Sequence, residues 1–277
     1  MAQQQDGERR LLQTQEEALR WAGVGLLQIA GSSCTGALIA PRLVLTAAHC
    51  LYDRSGNLAS PERVVFLAGW RRQRAVAERR AQRLIAHRDY DPGARYGRDN
   101  IQVDIGLVEL DEPIPSSIIR PFERLDRLTA GDPVGLVSYG RGRFEAPSLQ
   151  APCRTLRDRG RILEFSCEAV PGTSGAPIFV SINSRPRIAS LVSGSRSSGS
   201  RQTTLGVELG VALRDVMTDL AGGVPRGGSF SRSWDTGRVA QGPATPVAPP
   251  ATVGSTTGFI GSGEDTTGRK VVLPPSQ

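Results

Sequence analysis

The chain has 277 residues, a length that fits one large domain or two small ones. Its 39% hydrophobic and 22% charged residues are typical of a protein that buries a core. No apolar run approaches the roughly 18 residues of a membrane-spanning helix, so we expect no integral membrane segment. Lys270 is the one lysine among the 34 basic residues behind the net charge of +7, so arginine carries the charge. No nucleic-acid-binding motif accompanies these arginines. We therefore interpret them as a solvated basic surface, not as a site for nucleic acid or a membrane surface.

Short apolar runs, punctuated by glycine, proline, aspartate and asparagine, follow one another along most of the chain. They predict strands at residues 25–30, 37–40, 43–46, 64–70, 82–86, 104–110, 133–139, 162–165, 176–182, 188–192 and 204–209. Many short strands without intervening helices favour an antiparallel barrel or sandwich. The spacing of Leu213, Val216, Met217 and Leu220 predicts one helix near the end, which Gly222 stops.

The two ends of the chain differ in composition from this body. Residues 1–20 are polar and lack the charged start and apolar stretch of a signal peptide, so the chain is either cytosolic or has lost its signal. We interpret residues 1–20 as an N-terminal leader segment. Residues 222–277 hold 11 glycines and 7 prolines, which predicts a disordered tail. The chain is thus divided into a leader (1–20), a body (21–221) and a tail (222–277).

Four cysteines allow three disulfide pairings. Pairing by neighbourhood, Cys34–Cys50 and Cys153–Cys167, closes two loops of similar size and indicates an oxidising compartment. A hairpin turn predicted at residues 157–160 brings Cys153 towards Cys167. Four buried free thiols are the alternative. We expect no metal site, because the chain has only two histidines and no C-x-x-C spacing.

Three short segments carry the residue types that acyl transfer needs. His49 follows an apolar strand, and its ordinary pKa suits a general base. Asp104 lies in an apolar run, where a carboxylate is costly without a partner, and it would fix the histidine tautomer. Ser174 stands in a tight glycine turn and would be the nucleophile. Gly172 lets the backbone curl, so that the N–H groups of Gly172 and Ser174 form an oxyanion hole.

The order of these residues along the chain is more specific than any one of them. His, Asp, Ser is the order of chymotrypsin-like enzymes, whereas α/β-hydrolases have the histidine last, and no histidine follows Ser174. His87, the other histidine, stands at a strand end among polar residues, and we interpret it as structural.

Over residues 21–221 these motifs resemble the chymotrypsin/trypsin-like serine peptidases, in particular the bacterial secreted branch with its glutamyl-endopeptidase-like enzymes. Residues 34–39 and 43–50 are similar to the family's strand pair, which ends at the catalytic histidine and is stapled by a disulfide. The resemblance implies an all-β fold of two antiparallel six-stranded barrels with a C-terminal helix and the triad between them. It also implies protein or peptide substrates, no cofactor, and a secreted or periplasmic location after removal of a signal. We expect a monomer.

One position departs from the pattern of animal trypsin-like zymogens. Thr173 stands where those enzymes carry the aspartate that pairs with a new N-terminus after cleavage. We therefore expect no activation by such an ion pair, and activity either in the full chain or after removal of the leader alone.

The resemblance also suggests a specificity pocket. It would be lined by the residues leading to Ser174 and by Val192, Ser193, Ser195 and Gly206, with Ser193 and Ser195 pairing with the substrate backbone. Glu168, six residues before Ser174, matches the pocket-base position and predicts Arg or Lys at P1. In the alternative, Glu168 points outwards to solvent or to an arginine, and a small apolar pocket takes Val, Ala or Leu. Val192 stands where glutamyl-specific relatives use a histidine, which counts against acidic P1.

The leading hypothesis is a serine endopeptidase that acts through an acyl-enzyme. Its alternatives are a catalytically silent binding protein on the same fold and an arginine-rich surface-binding protein whose peptidase body is incidental. All three triad residues are present, which favours the enzyme.

Overall fold

The computed structural model describes residues 7–29, 31–94, 97–125, 127–140, 142, 144–182, 185–198, 201–223, 262–264 and 270–272. Its strands are β1 (Arg9–Leu11), β2 (Val24–Ile29), β3 (Ser32–Ala40), β4 (Leu43–Thr46), β5 (Val64–Ala68), β6 (Ala77–Ala86), β7 (Gly106–Leu110), β8 (Glu123–Arg124), β9 (Pro133–Ser138), β10 (Ser148–Asp158), β11 (Ile162–Phe165), β12 (Pro177–Ile182), β13 (Arg185–Ser198), β14 (Arg201–Glu208), β15 (Ser262–Glu264) and β16 (Lys270–Val272). Its helices are α1 (Gln15–Leu19), α2 (Arg98–Ile101) and α3 (Leu209–Gly222), with 3-10 turns at Ala48–Leu51 and Pro61–Arg63.

Two closed antiparallel barrels of six strands each form the body, which confirms the predicted fold class. Barrel 1 closes in the order β2-β3-β4-β7-β6-β5. Barrel 2 runs β12-β9-β10-β11-β14-β13 and closes through pairing of β12 with β13. The short strands β1, β8, β15 and β16 add to the outside of barrel 2. The rest of the predicted disordered tail lies outside the described residues.

The apolar runs of the sequence become strands because the barrels bury them. All five residues of β7 are buried between β4 and β6. Glu109, in the middle of that strand, is buried with the guanidinium of Arg83 2.9 Å from its carboxylate. The buried charge thus has a partner, which is the condition for placing it there.

Some predicted strand bounds are wrong, and each error has a local cause. Asp104 precedes β7 instead of being its first residue, because the chain turns after α2. The turn directs the Asp104 carboxylate towards the 3-10 turn at Ala48–Leu51. β10 was not predicted, since Pro147 and Pro152 and its polar residues hide an eleven-residue strand. The predicted turn at residues 157–160 is present, with Gly160 at φ +79°, and it joins β10 to β11.

Helix α3 carries the predicted apolar face with one exception. Leu213, Val216 and Leu220 are buried, whereas Met217 is 37% exposed. The Glu208 side chain caps the first turn by accepting from the Gly210 N–H at 2.8 Å. None of the helices in the described part of the chain has the length and apolar character of a membrane-spanning segment.

An aromatic cluster joins the two barrels. Phe179 of β12 packs against Trp21, which precedes β2, with ring centroids 5.0 Å apart, and against Phe122 at 4.7 Å. One apolar cluster around it contains buried residues of both barrels, and a second apolar cluster lies within barrel 2. The two barrels are therefore packed as one body, and the cleft between them has a fixed geometry.

Candidate active site

Half-buried His49 and buried Asp104 form a hydrogen-bonded pair on barrel 1. The 3-10 turn after β4 carries His49, and its backbone N–H donates to Asp104 Oδ1 at 2.8 Å. The ring Nδ1–H donates to Asp104 Oδ2 at 2.7 Å. Both oxygens of one carboxylate therefore hold the histidine, which fixes the ring orientation and leaves Nε2 as the acceptor nitrogen.

A third donor to the carboxylate comes from barrel 2. The Ser193 hydroxyl donates to Asp104 Oδ2 at 2.5 Å. Ser193 falls where the register of β13 against β14 shifts between Val192 and Gly194. The bulge turns its side chain towards barrel 1, so the two barrels share this buried charge.

The opposing pKa effects at His49 have different origins. Burial disfavours the imidazolium and lowers the pKa of His49. The charge of Asp104 and its hydrogen bond favour the imidazolium and raise the pKa further than burial lowers it. The net pKa lies above the ordinary histidine value, as suits a base that must hold a proton during a reaction.

Ser174 stands in a tight turn of residues 171–175, called the serine turn below. Gly172 has φ +94°, and a Cβ there would lie 2.7 Å from the Tyr139 carbonyl oxygen, so the position requires glycine. Thr173 is buried, and its N–H and hydroxyl both donate to the Val170 carbonyl, at 3.0 and 2.7 Å. The turn is thus closed by neutral hydrogen bonds.

The serine turn packs directly on the segment that leads to His49. A Cβ on Gly175 would lie 2.2 Å from Thr46 Oγ1 and 2.9 Å from the Ala47 nitrogen. A glycine after Ser174 is therefore the only residue that lets the two segments meet. The turn that carries Ser174 and the segment that leads to His49 therefore lie against each other where the two barrels meet.

Thr35, next to Cys34 in β3, ties the serine turn to barrel 1. Its N–H donates to the Ser174 carbonyl at 2.9 Å. Its buried hydroxyl donates to the Gly172 carbonyl at 3.1 Å and accepts from the Tyr139 N–H at 3.0 Å. Within the part of the chain that the structure describes, the N–H groups of Gly172 and Ser174 donate to no protein acceptor.

The two disulfides brace the two halves separately. Cys34–Cys50 links β3 to the 3-10 turn that carries His49. Cys153–Cys167 links β10 to Cys167, which lies two residues after the end of β11. Ligand atoms of Cys34, His49 and Cys50 lie within 4.8 Å of one another. Because both sulfurs belong to the disulfide, only the histidine keeps a ligand atom, and the group does not suit a metal ion.

A family model described as Trypsin matches residues 13–214. The chain belongs to the trypsin family. The match includes both barrels and the first turns of α3, and it begins after β1.

Curated relatives of this trypsin-family chain include insect and bacterial proteins. Serine protease SP24D of Anopheles gambiae is 37% identical over 121 residues, which are 43% of this chain and 41% of that protein. Glutamyl endopeptidase of Bacillus licheniformis is 24% identical over 154 residues, which are 55% and 47%. The chain thus matches less than half the length of these relatives.

Solved structures share the fold. A Glu endopeptidase in complex with MPD aligns with a TM-score of 0.60 at 18% identity, covering 78% of this chain and 98% of that one. The protease Anisep from Arthrobacter nicotinovorans aligns with a TM-score of 0.59 at 17% identity, covering 78% and 99%. At such identities the likeness shows the architecture alone.

The segment expected to form the specificity pocket lies between Cys167 and the serine turn. Its Glu168 carboxylate is 62% exposed, 4.0 Å from the Arg9 guanidinium. This is the outward position of the alternative interpretation. Val192 accepts the Gly175 N–H at 2.8 Å, and the side chain of Ser195 accepts from Gln202 at 3.2 Å.

Gly206 lies within β14, between β11 and β13. It pairs with Leu163 and Val192, and a Cβ there would meet Ser190 Oγ at 2.4 Å and a ring carbon of Phe165 at 2.9 Å. Because Val192 stands between Gly206 and the serine turn, residues earlier in β14 are closer to the pocket segment.

Several site residues have no signal in the sequence. Four side chains donate hydrogen bonds to main-chain carbonyls between residues 167 and 172. They are those of Thr35, Arg9, Gln202 and Thr204. Each bond joins positions at least 33 residues apart. Such contacts follow from the closed barrels, so a reading of local motifs does not find them.

An open cavity of about 630 Å³ lies against β2, β3 and β5. Its lining is Leu26, Gln28, Ile29, Gly31, Ser32, Ser33, Arg63, Val65 and Phe144. A Cβ on Gly172 would lie 3.0 Å from the Phe144 ring, so the cavity adjoins the turn.

Proposed function

We propose that the chain is a serine endopeptidase that hydrolyses peptide bonds of protein or peptide substrates through an acyl-enzyme. His49 is the general base, Asp104 orients it, and Ser174 is the nucleophile. Two observations together support this proposal most strongly. His49 is fixed by both oxygens of the buried Asp104 carboxylate, and the serine turn packs on the segment that leads to His49.

In the acylation step, His49 Nε2 takes the hydroxyl proton as Ser174 Oγ attacks the scissile carbonyl carbon. The charge that develops on the carbonyl oxygen is stabilised by the N–H groups of Gly172 and Ser174, which are not engaged elsewhere in the described residues. The imidazolium then gives its proton to the leaving amine. Asp104 stays ionised and stabilises the imidazolium.

Deacylation repeats these roles with water. His49 takes a proton from a water molecule, and the resulting hydroxide attacks the acyl carbon. The tetrahedral intermediate collapses, the acid product leaves, and Ser174 Oγ regains its proton from His49. No cofactor enters either step.

The test uses a fluorophosphonate probe on the purified chain, with Ser174→Ala as the matched control. We expect one label per chain on the wild type and none on Ser174→Ala, because an unactivated serine does not react. Peptide hydrolysis should fall about 10⁶-fold in the variant, as loss of the nucleophile does in subtilisin. An unlabelled wild type with an intact fold would instead support a silent binding protein.

For specificity, we infer a preference for small uncharged side chains at P1. An exposed Glu168 with Arg9 as its neighbour offers no buried charge to a basic residue. Initial rates on matched peptides with Val, Arg, Glu or Phe at P1 test this. We expect Val to be preferred and the Val/Arg ratio to be unchanged in Glu168→Gln. A preference for Arg that disappears in this variant would restore the basic-P1 prediction.

We also propose that the chain functions in a secreted or periplasmic setting. Two disulfides are typical of proteins that fold in an oxidising compartment. Alkylation of the natively produced protein before and after reduction tests this. Four thiols that react without reductant would contradict it.

A further inference from the structure

Strand β1 precedes the residues that match the family, yet it is built into barrel 2. Arg9 pairs with Gln150 and Leu11 with Ser148, so β1 lies along β10 as an added antiparallel strand. Leu12, directly after it, is 1% exposed. The start of the described chain is therefore held by both ladder bonds and burial.

The side chain of Arg9 crosses from β1 to the pocket segment. It is only 12% exposed, and its guanidinium donates to the Glu168 carbonyl oxygen and lies 3.5 Å from Gln150 Oε1. The same Gln150 oxygen accepts the Glu168 N–H at 3.0 Å. One residue of the pocket segment thus has both main-chain groups satisfied from β1 and its partner strand.

Glu168 is one of a row of residues held in this way. Each of four consecutive carbonyls accepts from a side chain: Cys167 from Thr204, Glu168 from Arg9, Ala169 from Gln202, and Val170 from Thr173. Among the residues that the structure describes, no strand pairs with this segment. Side-chain donors therefore replace a sheet ladder in fixing the main chain that leads to the serine turn.

On the basis of the proposed function, we propose that Arg9 is a positioning residue for the substrate pocket and acts through the Glu168 carbonyl. It is the one charged donor in the row, and charge-assisted bonds are the stronger ones. Residues 9–20 would then belong to the working enzyme, and a leader ending at residue 20 could not be removed without loosening the pocket.

Arg10 supplies a matched control on the same strand. It is the next residue, and its guanidinium pairs with Glu17 of α1 at 2.5 Å, away from Glu168. Arg10→Gln removes the same charge from β1 without touching the pocket segment. Arg9→Lys keeps the charge but loses the planar fork.

The experiment measures KM and kcat for the peptides with Val and Phe at P1, on fluorophosphonate-titrated full-length protein. For Arg9→Gln we expect a KM about tenfold higher for the Val peptide, the size of one charge-assisted hydrogen bond, with kcat nearly unchanged and weaker discrimination against Phe. The KM of Arg9→Lys should lie between those of Arg9→Gln and the wild type, and the KM of Arg10→Gln should equal that of the wild type.

Hydrogen exchange supplies a readout that does not depend on turnover. In Arg9→Gln, the peptide covering residues 167–171 should exchange faster, while exchange in barrel 1 stays as in the wild type. Unchanged KM and exchange in Arg9→Gln would overturn the proposal. So would an equal loss in Arg10→Gln, or a fall in titratable serine that matches the fall in activity, since these would show a general role in folding. A wild type that takes no fluorophosphonate would refute the proposed function itself.

Discussion

The His49 side of the cleft and the Ser174 side are held in place by different kinds of hydrogen bond. On the first side, one buried carboxylate, Asp104, accepts three hydrogen bonds. On the second side, donors from Thr35 and Thr173 reach main-chain carbonyls without any charge in the turn itself. The geometry of the His49 side therefore depends on the ionised state of one carboxylate. The geometry of the Ser174 side depends on several weaker, uncharged hydrogen bonds.

The largest effect should come from removing the charge on the histidine side. In Asp104→Asn the one remaining oxygen accepts the His49 backbone N–H, so the amide NH2 faces Nδ1 and donates to it, and the tautomer that leaves Nε2 free is lost. We expect kcat to fall about 10⁴-fold, the loss that the same tautomer argument explains in trypsin. Circular dichroism and fluorophosphonate labelling rates check that the fold remains while reactivity is lost.

The pair of His49 and Asp104 determines how activity changes with pH. A general base works only when neutral, so activity disappears as the pH falls through the pKa of His49. Asp104 holds this pKa above the ordinary value of roughly 6.5, whereas burial alone lowers it. The acid limb of kcat/KM should therefore lie above that value in the wild type and below it in Asp104→Asn. A limb at the same pH in both proteins would show that another group controls it.

On the serine side, loss of one contact should have a smaller effect. Thr35→Val keeps the shape of the side chain but leaves the Gly172 carbonyl and the Tyr139 N–H without their partner. We expect kcat to fall roughly ten- to 100-fold, as for one buried hydrogen bond near an oxyanion donor, with KM little changed.

Thr35→Ser is the matched control, because it restores the hydroxyl without the methyl group. It should recover most of the wild-type kcat. A Thr35→Val protein whose kcat equals the wild type, or a Thr35→Ser protein that is as slow as Thr35→Val, would contradict the role of the hydroxyl.

The disulfides give the smallest effect and a direct comparison of the two sides. Their cysteines are separated by 16 and 14 residues, so on the chain-entropy model each should contribute about 3 kcal/mol to the free energy of unfolding. Replacing either pair by serine should lower stability equally in urea unfolding. Activity at low temperature should fall more without Cys34–Cys50, since Cys50 adjoins His49. Equal activity losses would remove the distinction between the sides.

The residues that could be predicted from the sequence are those whose environment is local. His49, Asp104 and Ser174 stand in short segments whose apolar strands and glycines reveal the turn that follows. Gly172 is such a case, because its φ of +94° is a property of the turn itself. The fold class followed from the apolar runs for the same reason.

The parts that sequence reasoning did not reach depend on contacts across the closed barrels. Thr35 bonds to Gly172 over 137 positions, and Arg9 to Glu168 over 159. Counting back from Ser174 placed Glu168 at the pocket base, but the structure leaves that carboxylate in solvent beside Arg9. A count along the chain does not register which face of an irregular segment is turned outwards.

The division of the triad candidates between two barrels has a consequence for the order of synthesis. Barrel 1 is complete by residue 110, so a chain that has emerged up to this residue can form the pair of His49 and Asp104. Ser174 and the Ser193 hydroxyl belong to barrel 2, which is synthesised later. Both barrels must fold before the cleft between them exists. On the proposed function, a partly emerged chain therefore has no nucleophile in place until barrel 2 has folded.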